Sequence, residues 1–131
     1  AAIAGVLALR PEVLVLDEST SGVDPRGRKE LLALIRKWHE EENLTIVFIS
    51  TNMEDLATLV NRVYVIDDGR TVLNGPTCEV FAQAELLRGY GLGVPQITEV
   101  MYGLKHWGLP VNDQCVSVSE AEEQVWKILN S

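Results

Sequence analysis

The sequence predicts an α/β fold with mostly parallel strands, one antiparallel hairpin and a helical carboxyl-terminal extension. Three observations carry that expectation. Val13-Leu14-Val15-Leu16 is an unbroken apolar run ending in two carboxylates, Asp17 and Glu18, the pattern of a parallel-sheet strand buried on both faces. A helical period over residues 25–41 leads to a second apolar run, Thr45-Ile46-Val47-Phe48-Ile49, so strand, helix and strand form one right-handed crossover with parallel strands. Beyond Ala82 the strand patterning stops, and short helices punctuated by glycines take over.

In chain order, residues 1–9 are rich in Ala, Leu and Ile and read as a helix, closed by Arg10-Pro11 because a residue before proline avoids the α region. After the first strand, Asp24 is a good N-cap with Pro25 at the first helical position. Leu31, Leu34, Ile35 and Trp38 have the spacing of one buried face, and Asn43 breaks the helix. Past the second strand, Thr51-Asn52-Met53-Glu54 has the form of a capping box, with Thr51 as N-cap and Glu54 reaching back, ahead of a helix over residues 53–60. Residues 62–66 form a strand, Asp67-Asp68-Gly69 a hairpin turn, and residues 71–73 the antiparallel return. Gly75-Pro76-Thr77 starts a helix that runs through Phe81, and another covers residues 84–90. Gly89, Gly91 and Gly93 belong to a linker, since neither a preceding strand nor a following lysine supports a phosphate cradle. Val94-Pro95 opens a helix burying Ile97, Val100, Met101 and Leu104, and Gly108-Leu109-Pro110 ends it. Ser119 with Glu122 forms the capping box of a last helix that buries Val125, Ile128 and Leu129. The expected division is therefore 1–82 and 83–131.

The length of 131 residues allows one domain, or one with an appendage. A net charge of −8 argues against a nucleic-acid partner and against adsorption to anionic lipid. No apolar run approaches the roughly 20 residues of a membrane-spanning helix, and no basic leader precedes the first segment, so no signal peptide is expected. Cys78 and Cys115 lie far apart without metal-ligand spacing, the usage of a reduced cytosolic protein.

In open α/β sheets ligands bind at the carboxyl ends of the strands, which is where Asp17 and Glu18 fall. One carboxylate for a hard cation, beside another that polarises water, is what phosphoryl transfer to water requires. Mg²⁺ characteristically takes only one or two protein carboxylates. On the residues alone, Asp17-Glu18 ending a strand and Asp24-Pro25 starting a helix is the competing account.

The whole run from Val13 to Pro25 resembles the Walker B motif and D-loop of an ABC-type ATPase, usually four apolar residues, Asp-Glu-Pro-Thr, a small residue and Gly-Leu-Asp-Pro. Here Ser19 replaces the proline and Val23 the leucine. The resemblance implies a partial P-loop NTPase (RecA-like) core over 1–82, with ATP and Mg²⁺ as cofactors of the full-length protein. It assigns Mg²⁺, held through water, to Asp17 and the catalytic base to Glu18. Ser21, Gly22 and Asp24 become a D-loop that crosses to a second ATPase subunit, identical or different. Aligning on Met53-Glu54-Asp55 places Thr51 where the family has its switch histidine. A threonine hydroxyl has shorter reach and carries no charge, and His39, at the far end of its helix, does not replace the imidazole.

The tail, with Gly91-Leu92-Gly93-Val94-Pro95 at its entry and Gly108-Leu109-Pro110 at its exit, resembles the extension of energy-coupling-factor ATPases of the cobalt, nickel or vitamin type. The implied function is an ATP-hydrolysing subunit coupling MgATP hydrolysis to uptake of a metal ion or vitamin, bound to transmembrane transporter subunits at the cytoplasmic face of the membrane. No G-x-x-x-x-G-K-[ST] occurs, so there is no P-loop in this chain. By resemblance the chain starts just after the signature loop and is the carboxyl-terminal portion of a longer protein, inactive alone. The family's P-loop strand would lie between the strands at 45–49 and 62–66, and the apolar edges left without it predict that the isolated fragment dimerises or swaps elements. Two other classes compete: a degenerate or regulatory nucleotide-binding subunit, motivated by Thr51, and a phosphorelay receiver domain, opposed by Asp67-Asp68-Gly69 where a lysine is required.

Overall fold

The computed structural model describes residues 2–131. In chain order the elements are α1 (Ala2–Leu7), β1 (Val13–Asp17), α2 (Pro25–Glu42), β2 (Thr45–Ile49), α3 (Met53–Leu59), β3 (Arg62–Asp67), β4 (Arg70–Pro76), α4 (Thr77–Phe81), α5 (Ala84–Gly89), α6 (Gln96–His106) and α7 (Val118–Leu129). They fall into two compact units, the first ending at Thr51 and the second spanning Asn52–Ser131.

In the first unit β1 and β2 pair in parallel, from Val13 opposite Thr45 to Asp17 opposite Ile49, with α2 as the connection. Burial on both strand faces does not hold. Leu14 and Leu16 are buried, whereas Val13 is 53% and Val15 58% exposed. In β2, Val47 and Ile49 are likewise exposed, so the continuous apolar runs cover one face of this two-stranded sheet and leave the other open. α2 buries Ile35, with Leu31 and Trp38 half-buried, but Leu34 sits a hundred-degree step around the helix and is exposed. Asn43 ends α2 in the left-handed conformation (φ 52°, ψ 33°) and donates to the Trp38 carbonyl. His39 Nδ1 lies 2.9 Å from the Leu44 carbonyl oxygen, so its ring is engaged at that end of α2. α1 stops sooner than expected, because Leu9 and Arg10 donate to Val6 and Leu7 in a tightened last turn.

In the second unit β3 and β4 form an antiparallel hairpin, longer on the return side than the sequence predicts. Its turn uses Asp68 (φ 46°) and Gly69 (φ 73°), the two positive angles of a type I′ turn. Val63, Val65, Val80, Phe81 and Leu87 make one buried cluster, backed by Met53, Leu56 and Leu73. Met101, Val111, Cys115 and Ala121 make another, backed by Ile97, Leu104, Val125 and Ile128. Thr98, rather than the predicted Val100, faces inward from α6, and its hydroxyl donates to the Cys115 carbonyl at 2.8 Å. Leu129 is exposed, and Ala121 fills the inward position on α7 instead.

Two capping boxes shift. α3 is capped by Asn52, whose side chain accepts from the Asp55 N–H at 3.0 Å, while Glu54 is drawn off to accept from the Gln96 N–H at 2.7 Å. Thr51 is therefore not the cap. α7 is capped by Ser117, two residues ahead of Ser119, and Glu120 closes back on the Val116 N–H at 3.2 Å.

Candidate active site at the carboxyl end of strand β1

The site residues lie within the first unit. Asp17 is the last residue of β1, and its side chain is exposed at the strand end. Glu18 continues the pairing by one further bond, its N–H donating to the Ile49 carbonyl at 2.9 Å. There the backbone turns sharply: Glu18 has φ 47°, a left-handed conformation unusual for a residue bearing a Cβ, at a cost of about 1–2 kcal/mol. Its carbonyl swings into a tight turn to accept from the Ser21 N–H at 3.0 Å. Its side chain goes the other way, and Oε1 accepts from the Thr51 N–H at 2.9 Å.

The loop from Glu18 to Asp24 is held locally. Thr20 is buried and its carbonyl accepts from the Val23 N–H. Gly22 takes φ 73°, where a side chain would be strained. Asp24 is extended and caps α2, Oδ2 accepting from the Gly27 N–H at 3.1 Å. Ser19 Oγ is buried without a hydrogen-bond partner among the described residues. Asp17, Glu18 and Thr51 thus gather at the ends of two neighbouring strands, with Ser21, Gly22 and Asp24 along the adjoining loop. The backbone contact from Thr51 escaped the motif reading, and only the phase of the parallel ladder signals it.

A divalent ion bound here would find a sparse donor set. Among the described residues no group of three His, Cys, Asp or Glu converges, and one Glu18 oxygen is committed to Thr51. A single carboxylate, Asp17, with water and phosphate oxygens completing the shell suits Mg²⁺ and does not suit a closed protein cage. Among the described residues no helix is long and apolar enough to cross a membrane.

No family model matches the chain. It is 42% identical over 130 residues to the energy-coupling factor transporter ATP-binding protein EcfA2 of Clostridium tetani, covering 99% of this chain and 45% of that protein. Its identity to the EcfA2 of Clostridium perfringens is also 42%, over 99% of this chain and 46% of the relative. The fold matches the solved structure of cbiO1 from Clostridium perfringens, described as part of the ABC transporter complex cbiONQ. That match has a TM-score of 0.59 and 38% identity, over 77% of this chain and 40% of the other. The chain spans about half the length of the curated relatives it matches. Over nearly its whole length, then, the chain is similar to ABC transporter ATP-binding proteins of the energy-coupling-factor type.

Proposed function

We propose that the chain supplies the hydrolytic carboxylates of an ATPase subunit in an energy-coupling-factor importer, coupling MgATP hydrolysis to uptake of a metal ion or vitamin. The observation that carries this reading is the Glu18 carboxylate, held at the end of β1 by the Thr51 N–H at 2.9 Å, a fixed general base beside the exposed Asp17. In this reading Glu18 takes the proton of the attacking water and Asp17 holds Mg²⁺ through water. The ion supplies charge neutralisation on the phosphates. Ser21, Gly22 and Asp24 face a second ATPase subunit, the same or different. Residues 1–82 are core and 83–131 an extension, and the assembly lies at the cytoplasmic face of the membrane against transmembrane subunits. The chain alone lacks the P-loop amides and lysine, so it hydrolyses nothing by itself.

The test is MgATP turnover by the full-length protein assembled with its partners, compared with Glu18→Gln. Loss of a positioned general base lowers kcat by roughly 10²–10⁴-fold. Thr51 in place of an imidazole favours a second reading, a nucleotide-binding subunit that assembles but scarcely hydrolyses. If nucleotide binds and neither protein turns over, that second reading holds and hydrolysis belongs to the partner subunit.

A further inference from the structure

We infer that the backbone N–H of Thr51 is the group that positions Glu18, because the Glu18 carboxylate takes the place of its own main-chain carbonyl in the β1–β2 ladder. The inference rests on the hydrolytic reading of Glu18 for its consequence, and on geometry alone for the contact.

A parallel ladder alternates: every second residue of one strand both donates to and accepts from the neighbouring strand. Here the even-numbered residues carry it. The Thr45 N–H donates to the Glu12 carbonyl at 3.1 Å, and the Glu18 N–H donates to the Ile49 carbonyl at 2.9 Å. The next step of that register sends the Thr51 N–H to the Glu18 carbonyl. That oxygen is elsewhere, since φ 47° at Glu18 turns it toward the Ser21 N–H. Oε1 fills the vacated acceptor position at 2.9 Å.

Three properties follow. The carboxylate is tethered at both ends, through its own N–H and through one oxygen, so its position is inherited from the sheet. Among the described residues only Oε1 is engaged, which leaves Oε2 as the oxygen that takes the proton from water. The tether is a main-chain group, so the placement of Glu18 needs no imidazole at position 51.

The experiment replaces Thr51 in the full-length protein by its α-hydroxy acid counterpart, converting the N–H to an ester oxygen while keeping the side chain. In the protein assembled with its partners, kcat falls roughly tenfold, the worth of one hydrogen bond to a charged group, and KM for MgATP stays constant. Unchanged kcat, or a rise in KM that accounts for the whole loss, overturns the inference. An independent reading comes from amide NMR of the full-length protein with labelled threonine. The Thr51 amide proton is shifted downfield by the carboxylate and moves upfield in Glu18→Ala, while Glu18→Gln, which keeps an acceptor oxygen, retains most of the shift. Absence of any response to Glu18→Ala overturns the contact whether or not the protein hydrolyses ATP. A clear response in a protein with no turnover upholds the contact and removes the hydrolytic reading instead.

Discussion

Asp24 and Gly27 are fitted to each other: the aspartate caps α2 through the Gly27 N–H at 3.1 Å, and a Cβ at position 27 would lie 2.9 Å from Asp24 Oδ1. The cap and the missing side chain are therefore one feature. Asp24→Ala costs about 1 kcal/mol of stability through loss of the cap. Gly27→Ala gains helix propensity but displaces the capping carboxylate, so it is close to neutral in the native sequence and stabilises by up to about 1 kcal/mol in the Asp24→Ala background. Asp24→Asn keeps the cap and removes the charge, which separates stability from any role across a subunit interface. A fall in ATP turnover of the assembled Asp24→Asn protein, with its denaturation midpoint unchanged, assigns Asp24 to that interface.

Ser19 offers a stabilising change. Its hydroxyl is buried with no partner among the described residues, and a buried donor left unmade costs about 1–3 kcal/mol. Ser19→Ala removes the hydroxyl without altering the turn that Glu18 and Ser21 close. The expected result is a denaturation midpoint raised by the equivalent of about 1 kcal/mol, and a lower midpoint would show that the hydroxyl is satisfied by solvent.

Local signals in the sequence served well where the structure is local. Asp24-Pro25 opens α2 and Asp67-Asp68-Gly69 turns the hairpin because caps and tight turns are settled within four residues. Competition between overlapping signals is harder to read. Thr51-Glu54 and Asn52-Asp55 are both admissible starts for α3, and the choice falls to Asn52 because Glu54 bonds the Gln96 N–H, 42 residues along the chain. The apolar runs of β1 and β2 marked the strands correctly but overstated burial, since composition does not say how many layers cover a sheet. The residues of the run that ends β1, Asp17 and Glu18 among them, could be named one by one. The bond joining Glu18 to Thr51, 33 residues apart, depends on ladder phase and on a left-handed glutamate, and neither appears in a pattern of residue types.

Cys115 gives the second unit an alkaline limit. Burial pushes its thiol above the ordinary value of 9.0, and the neighbouring Glu120 carboxylate adds to the shift. A raised value in the folded state means that the thiol's contribution is fully present below the unfolded value and lost as pH rises through the folded one. As pH rises past the ordinary thiol value the native protein therefore loses stability that Cys115→Ala does not lose. Denaturant midpoints of the two proteins on either side of that value check the sign, and parallel slopes would contradict it. Below that value, alkylation modifies the more accessible Cys78 ahead of Cys115.

The open face of the β1–β2 sheet determines how the 131-residue chain behaves in isolation. Val13, Val15, Val47 and Ile49 are each about half exposed, and Val15 pairs directly with Val47. Burying the exposed half of each is worth about 1 kcal/mol, so two copies laid face to face gain several kcal/mol, close to the least that association costs. Among the described residues no further strand pairs with β1 or β2, so the sheet's edges add backbone donors and acceptors to the same region. The isolated chain should accordingly associate weakly and reversibly, with an apparent mass in light scattering that rises with concentration. Val15→Lys places a charge at the centre of that face and returns the mass to that of a monomer without touching Leu14 or Leu16 beneath it. In the full-length protein the same substitution tests whether the face is covered: a sharply lowered denaturation midpoint means that it is buried there, and an unchanged one that it stays open to solvent. A monomeric mass for the unmodified isolated chain at every concentration would remove the prediction, because the free energy offered by these four side chains would then be too small to hold two copies together.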